Sequence, residues 1–144
     1  ALSGGAAKKE KITNITVTDQ FGFPITYENA FINYFFGTFG GGQQFATVAN
    51  PDASGINTTA KVGKFTRGFE GWSGTYSPLN YPIDFSTGNK VKVYVYNPDP
   101  SLIGAKLNVE LEAAVEFNQL VLRFNDTVDG AGAVIYVDNF TFTY

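Results

Sequence analysis

Cysteine and histidine are both absent from this chain of 144 residues. Without cysteine there is no disulfide and no thiolate, and the compartment stays open, because cytosolic proteins and bacterial exported proteins both occur without cysteine. Without histidine, the commonest general base and the commonest zinc and copper ligand are missing. Serine–histidine, cysteine–histidine and histidine–metal mechanisms are therefore excluded.

Charged side chains are also scarce. They make up 16% of the chain, below the usual fraction of about a quarter, and the formal net charge is -3. A surface that binds nucleic acid must be basic enough to neutralise phosphates, so nucleic acid is not predicted as a partner. No apolar run is long enough to cross a bilayer, so membrane insertion is not predicted either.

Aromatic residues and glycine are abundant. The chain contains 14 Phe, 8 Tyr and 16 Gly. Short alternating segments at 107–111 and 119–124 and turn chemistry at 50–55 are typical of many short strands joined by turns. The sequence therefore predicts an all-β protein, a β-sandwich of the jelly-roll type with two antiparallel sheets. Residues 1–10 are predicted to form a flexible linker or arm, and residues 11–144 a single domain.

The segment from residue 61 to residue 96 is the most informative part of the sequence. It holds the only tryptophan, Trp72, and ends in a strand with two distinct faces. Three valines point one way, and Lys92, Tyr94 and Tyr96 point the other. Aromatic rings beside hydrogen-bonding groups suit a flat, neutral, hydroxyl-rich ligand such as a sugar. The same pattern also occurs on ordinary half-exposed strands.

The later strands extend this polar surface. If their aliphatic sides face the core, the other sides share one outer surface, comprising Lys92, Tyr94, Tyr96, Asn108, Glu110, Gln119 and Arg123. Where these strands are neighbours, the surface forms a polar groove with aromatic rings. The alternative is an ordinary solvated sheet face.

Eight short motifs follow one another in a defined order. They are ITYE at 25–28, FGG at 39–41, VANPDASGIN at 48–57, KVG at 61–63, WSG at 72–74, PIDFSTG at 82–88, KVY at 92–94 and YVDNF at 136–140. In this order they resemble the jelly-roll carbohydrate-binding modules of the group that includes families four, nine, sixteen and twenty-two. The chain is more closely similar to copies found in secreted or surface proteins of marine Bacteroidetes, and the resemblance covers residues 24–144.

The resemblance implies a secreted or cell-surface β-sandwich that binds a polysaccharide, for instance a β-glucan such as laminarin, without cleaving it. It also implies a structural Ca²⁺ held by Glu28 and Asp138. The chemistry is reasonable, because Ca²⁺ takes about six to eight hard oxygens, many of them backbone carbonyls. In the alternative interpretation, both residues are ordinary carboxylates at strand ends.

The predicted ligand contacts combine the resemblance with the strand pattern. Trp72 matches the recurrent tryptophan of these modules, although a lone tryptophan in a β-sandwich is often part of the core. Arg67 could bond sugar hydroxyls or pair with Glu70. The full predicted set is Trp72, Tyr76, Tyr81, Lys92, Tyr94, Tyr96, Arg67 and Arg123.

The sequence departs from these modules near residues 113–115, where they normally carry a longer insert. Either the domain is shortened, or a loop is missing from the sequence as numbered. A shortened sandwich would expose strand edges that a partner strand could fill, such as residues 12–18 of another copy. This favours the alternative function, a structural or adhesive β-sandwich domain of a cell-surface or filament protein. Its partners would be other domains of a larger surface protein or other copies of itself.

Catalysis is the least favoured function. Asp84, Glu70 and Glu110 could supply the carboxylates of a glycosidase, but nothing in the sequence places two of them at the required separation. The chain is therefore predicted not to be an enzyme.

Overall fold

The computed structural model describes residues 22–41, 44–79, 82–102, 104–112, 119–124 and 132–144. Several sequence-based predictions fall outside these residues: the arm at 1–10, the strand at 12–18, Tyr81 and the apparent gap near 113–115.

Eight β-strands, and no helix, make up the regular structure of the described residues. The strands are β1 (Gly37–Phe39), β2 (Gln44–Ala49), β3 (Lys61–Thr66), β4 (Gly74–Pro78), β5 (Lys90–Tyr96), β6 (Leu107–Glu112), β7 (Gln119–Phe124) and β8 (Val134–Thr143). Sheet one has the strand order β1-β4-β7-β6 and sheet two the order β2-β3-β8-β5. All pairs are antiparallel. The prediction of an all-β sandwich with two antiparallel sheets is confirmed.

The hydrophobic core lies between the two sheets. Alternation along β7 turns Leu120, Leu122 and Phe124 inward, and each is at most 4% exposed. The opposing side chains of sheet two are Phe65 of β3 and Ile135, Val137 and Phe140 of β8. These buried apolar side chains hold the two sheets face to face.

A β-bulge interrupts β8 where it pairs with β5. Lys92 lies opposite Thr141 and Tyr94 opposite Asp138, so β8 advances by three residues while β5 advances by two. Asn139 accommodates the extra residue with φ of 50°, a conformation that asparagine adopts more readily than most residues. Because of the extra residue, the alternation of inward and outward side chains along β8 shifts by one position here. Two consecutive residues, Val137 and Asp138, are therefore both buried.

The expected aliphatic face of β5 is only partly realised. Val91 and Val93 pack against the core, but Val95 is 46% exposed. The reason is position: β5 is the last strand of sheet two, and Val95 lies near its end. The predicted separation of the two sides holds for Val91 and Val93, but Val95 lines the same groove as Tyr94 and Tyr96.

Candidate functional site

Strand pairing divides the predicted ligand residues between two surfaces. β5, which carries Lys92, Tyr94 and Tyr96, pairs with β8 in sheet two, whereas β6 and β7 belong to sheet one. The single outer surface expected from alternation therefore does not form. Two separate aromatic surfaces take its place, one on each sheet.

The first surface, which we call the ring platform, lies on sheet one. It consists of Phe35, Phe39, Trp72 and Tyr76, whose rings contact one another in a row. Trp72 is 58% exposed and Phe35 is 42% exposed. Trp72 is therefore a surface residue and not part of the core.

Two glycines allow the platform to be flat. β1 and β4 each begin with the triplet Gly-Thr-aromatic, and they pair so that Gly37 lies opposite Tyr76 and Gly74 opposite Phe39. A Cβ atom on Gly37 would lie 2.3 Å from Tyr76 Cζ, and one on Gly74 would lie 2.6 Å from Phe39 Cζ. Each ring thus lies across the glycine of the neighbouring strand, in space that any other residue would fill.

The ring planes run nearly parallel along the row. The planes of Phe39 and Trp72 differ by 8°, with centroids 6.2 Å apart, and those of Phe39 and Tyr76 by 28°, with centroids 6.5 Å apart. These centroid separations are wider than those of rings in direct face-to-face contact. Phe35 ends the row, edge-on to Tyr76 at 6.3 Å.

Hydroxyl groups on the inner side of β4 hold the short strand β1 in place. Thr75 Oγ1 donates a hydrogen bond to the Gly37 carbonyl at 2.6 Å, and Ser77 Oγ donates one to the Phe35 carbonyl at 2.7 Å. Both side chains are fully buried. Sequence reasoning missed them, because serine and threonine are mostly exposed residues.

Polar side chains lie beside the platform, around a depression of about 260 Å³ lined by Phe39, Tyr76, Gln119, Val121 and Arg123. The Arg123 guanidinium carbon is 5.7 Å from the Phe39 ring centroid, and Arg123 Nη1 is 3.3 Å from Glu110 Oε1. Arg123 Nε is buried and has no hydrogen-bond partner among the described residues. Because the cation is paired with a carboxylate, the platform carries little net charge.

Arg67 does not join the platform. Its side chain is 2% exposed, and Nη2 donates to the Glu70 carbonyl oxygen at 3.5 Å. The backbone N–H of Arg67 also donates to the Ala133 carbonyl. The prediction that Arg67 contacts a ligand is therefore not supported, since a buried guanidinium cannot reach a molecule on the surface.

The second surface, which we call the tyrosine groove, lies on sheet two beneath the loop at residues 50–57. Its volume is about 230 Å³, and its lining includes Tyr94, Tyr96, Tyr136, Asn50, Asp52, Ile56, Asn57 and Asp138. The rings of Tyr96 and Tyr136 are 5.9 Å apart at 35°. Lys92 Nζ lies 5.4 Å from the centroid of the Tyr94 ring.

Asp138 anchors the loop above this groove. It is 1% exposed, and its Oδ2 accepts hydrogen bonds from Asn57 Nδ2 at 2.9 Å and from Thr59 Oγ1. Its Oδ1 accepts the backbone N–H of Asn139 at 2.7 Å. The bulge that buries Asp138 also brings this N–H to it.

Glu28 lies near the end of the same loop, where the loop joins β3. Its Oε1 accepts the backbone N–H of Lys61 at 2.7 Å, and Thr59 Oγ1 lies 3.3 Å from the Lys61 carbonyl oxygen. Glu28 and Asp138, far apart in sequence, are thus linked through residues 59 and 61. The structure brings the two predicted calcium ligands into one region.

The donor set in this region suits Ca²⁺ by chemistry. Carboxylate, hydroxyl and carbonyl oxygens are its preferred ligands. The described residues contain no group of three or more Asp, Glu, His or Cys side chains that could hold a metal, so neutral oxygens would have to complete the shell. The two described non-glycine residues with positive φ, Tyr27 at 60° and Asn139 at 50°, directly adjoin Glu28 and Asp138. Backbone conformations of this kind concentrate at functional sites.

Tyr27 is a buried polar residue beside this region. Its side chain is 1% exposed, and its hydroxyl has no hydrogen-bond partner in the described part of the chain. Burial, and to a smaller extent the charge of Asp138 and the neighbouring Tyr34, raise the pKa of Tyr27 well above its ordinary value.

Replacement of Tyr27 by Phe is expected to raise the free energy of unfolding by about 1 kcal/mol, because an unpaired buried hydroxyl costs about 1–3 kcal/mol. The native state keeps the phenol neutral. The cost of the buried phenol is therefore constant below the unfolded pKa of about 10 and grows as the pH rises from there towards the higher folded pKa, because only the unfolded state ionises in that range. Urea denaturation at about pH 7 and about pH 11 measures both effects, and the advantage of the variant should widen at the higher pH. An equal advantage at both pH values would contradict the assignment.

Among the described residues, no hydrogen bond or ion pair connects any two of the three carboxylates considered for a glycosidase, Asp84, Glu70 and Glu110. Asp84 is exposed, and hydrogen bonds from the hydroxyl and then the backbone N–H of Ser86 lower its pKa. A glycosidase general acid needs a raised pKa. Glu110 pairs with Arg123 instead of with another carboxylate.

Comparisons with family models, with curated proteins and with solved structures found no match to this chain. The resemblance to jelly-roll carbohydrate-binding modules therefore stays a prediction. In the part of the chain that the structure describes, no helix has the length and apolar character needed to cross a membrane.

Sequence reasoning missed Phe35, Phe39 and Tyr136 as members of the two aromatic surfaces. For Phe39 a signal was present: the triplet Gly-Thr-aromatic occurs at 37–39 and again at 74–76. Two such triplets paired antiparallel place each ring over a glycine. For Tyr136 no local signal existed, because its position beside Tyr96 follows from the pairing of β5 with β8.

Proposed function

We propose that this chain is a non-catalytic carbohydrate-binding module whose ligand lies on the ring platform. The observation that carries the proposal is the flat row of rings, in which Phe39 and Tyr76 lie across glycines and Trp72 continues the row. Trp72 and Phe35 are exposed to solvent, whereas Phe39 and Tyr76 are half-buried. Exposed aromatic faces are suited to stack against the C–H faces of sugars. Exposed aromatic patches of this kind mark interaction sites.

The charges near the platform support a neutral ligand. Arg123 is the cation at this surface, and Glu110 pairs with it at 3.3 Å. The paired groups can still offer hydrogen-bond donors and acceptors to hydroxyls. A chain of net charge -3 lacks the positive field that would attract a polyanion.

The length of the row supports a polymer over a single sugar. Successive centroids from Phe35 to Trp72 are separated by 6.3, 6.5 and 6.2 Å. A monosaccharide would cover only part of this row, whereas an extended glycan would contact the three rings with similar planes, Trp72, Phe39 and Tyr76. We propose a β-glucan such as laminarin as the ligand class and, with it, an extracellular or cell-surface location.

We also propose that a structural Ca²⁺ is held at Glu28 and Asp138, with neutral oxygens from the region of Thr59 and Lys61. Neither carboxylate forms an ion pair within the part of the chain that the structure describes, and the ion would supply the positive charge that both lack. It would fasten the 50–59 loop to β8 and take no direct part in binding at the platform.

Isothermal titration of the protein against laminarin, xylan, mixed-linkage glucan and chitin oligomers tests the function. One glycan is expected to bind, and Trp72→Ala is expected to weaken its affinity by about tenfold or more, the loss typical of an exposed anchor ring. Phe31→Ala is the matched control, because Phe31 is 59% exposed but lies outside the row. Absence of heat with every glycan, or equal losses in the two variants, would refute the proposal.

A second function, structural or adhesive assembly, is favoured by the end of β5. Val95 is 46% exposed and Tyr96 is 41% exposed. Both lie on β5, which is an edge strand of sheet two in the described part of the chain. An apolar edge strand can pair with another chain. Sedimentation velocity across a range of protein concentrations separates the two functions, since assembly requires a mass that grows with concentration.

A further inference from the structure

The tyrosine groove is not used by the proposed function. It lies on sheet two, and none of the platform residues lines it. Its volume of about 230 Å³ is below the range of about 300–1,000 Å³ found for pockets that take drug-sized ligands. The groove therefore suits a small group and is too small to enclose an oligosaccharide.

The loop that roofs the groove uses its amide donors internally. Asn50 Nδ2 donates to the carbonyl oxygens of Thr59 at 2.9 Å and Asn57 at 3.3 Å. Asn57 Nδ2 donates to Asp138. Both N–H groups of Asn50 Nδ2 and one of Asn57 Nδ2 are therefore used within the protein, which leaves few amide donors for a sugar. The groups left for a ligand are chiefly tyrosine ring faces and hydroxyls, aliphatic side chains and the Asp52 carboxylate.

The charge of the lining is negative. Two carboxylates line the groove, and none of the described lining residues is Lys or Arg. Asp138 is buried and both of its oxygens accept hydrogen bonds. Asp52 is exposed, and its Oδ1 accepts a hydrogen bond from the Ser54 hydroxyl, so it is the carboxylate that a ligand can reach. Three tyrosine rings contribute the electron-rich faces that attract cations. One of these rings already contacts a cation, since Lys92 Nζ lies 5.4 Å from the Tyr94 centroid.

We propose that the tyrosine groove is a second binding site, specific for a small organic cation of the quaternary ammonium class, held by Tyr96 and Tyr136 with Asp52 supplying the counter-charge. A quaternary ammonium group needs no hydrogen-bond donor from its site. It is attracted by ring faces and by a carboxylate, which are the groups that this groove offers. The proposal does not depend on glycan binding, because the two surfaces share no residue.

The decisive experiment compares choline with 3,3-dimethylbutan-1-ol, its neutral isostere, in NMR titrations that follow the tyrosine ring signals. EDTA is present throughout, so that no divalent cation shares the carboxylates. Choline is expected to bind about tenfold or more tightly than the alcohol, the difference that cation–π attraction and the carboxylate together provide. Equal affinities would mean a merely apolar groove, and absence of saturable choline binding would likewise overturn the proposal.

Variants locate the site. Tyr96→Leu and Tyr136→Leu are each expected to weaken choline binding about tenfold, and Asp52→Asn several-fold, while the spectra otherwise remain those of the folded protein. Trp72→Ala is the control, because it alters the ring platform alone, and its choline affinity should equal that of the wild type. Loss of choline binding in Trp72→Ala, with none in Tyr96→Leu, would place the site elsewhere and overturn the proposal.

Discussion

Replacement of Asp138 by Ala is expected to lower the free energy of unfolding by about 3 kcal/mol, because it leaves three partly buried donors without the buried acceptor that they share. These donors are Asn57 Nδ2, Thr59 Oγ1 and the backbone N–H of Asn139. The first two belong to the loop that covers the tyrosine groove, so this loop should also lose its attachment to β8. Urea denaturation measures the change in stability, and amide hydrogen exchange measures the opening of the loop.

Asp99→Ala is the matched control for this experiment. Asp99 is exposed, and among the described residues its carboxylate accepts hydrogen bonds from Ser101 alone. Its replacement should change stability by no more than about 0.5 kcal/mol, as is usual for surface substitutions. Similar losses in the two variants would contradict the anchoring role of Asp138.

Asp138→Asn tests the proposed calcium. It removes the charge and one of the two acceptor oxygens, so the variant is less stable without metal, and the effect of calcium is read as the difference between EDTA and calcium within each protein. If Ca²⁺ is held at Glu28 and Asp138, a free concentration about 100 times its Kd should stabilise the wild type by about 2.7 kcal/mol. This gain is read as a rise in Tm between EDTA and calcium, and it should vanish in Asp138→Asn. An equal rise in both proteins would exclude this position as the metal site.

Replacement of Gly37 by Ala is expected to weaken glycan binding by about 2 kcal/mol, roughly thirtyfold in Kd, with little loss of stability. The new methyl group would lie 2.3–2.6 Å from Cζ, Cε1 and the hydroxyl oxygen of Tyr76. These atoms are at the far end of a partly exposed side chain, so the ring can swing away without moving the backbone. The platform would then lose one of its two flat-lying rings.

The test combines titration with the best glycan ligand and thermal unfolding. Thr38→Ala, on the same strand, leaves the ring contacts intact and should bind normally. Gly74→Ala should behave differently, because its Cβ would lie 2.6 Å from the backbone carbonyl oxygen of Leu122 as well as from the Phe39 ring. We therefore expect Gly74→Ala to destabilise the fold, whereas Gly37→Ala acts on binding. Full glycan affinity in Gly37→Ala would show that the flat position of Tyr76 does not matter.

The placement of the candidate site was only partly predictable. Trp72, Tyr76 and Arg123 were identified, and they do meet on one sheet with Phe39. Tyr94 and Tyr96 were identified as well, but they lie on the other sheet. Alternation along a strand shows which side chains share its face. It contains no information on which strand becomes its neighbour, because pairing is decided by contacts between distant segments.

The burial of Asp138 shows the same limit. Its acidic side chain in an otherwise apolar strand was visible in the sequence, and its pairing with Glu28 came from the resemblance. Its near-complete burial results from the bulge at Asn139, which shifts the inward and outward alternation of β8 by one position where β8 pairs with β5. A bulge forms between two strands, so neither strand alone predicts its position.

The sequence by itself determined the all-β class, the inner side chains of β7 and the exclusion of cysteine and histidine chemistry. These properties depend on composition and on local period-two alternation, which act through each residue and its near neighbours. The tertiary structure alone decided the division of the aromatic residues between a ring platform and a tyrosine groove. It also decided the flatness of the platform, because a ring lies flat only where a glycine from another strand stands opposite it, as Gly37 does for Tyr76.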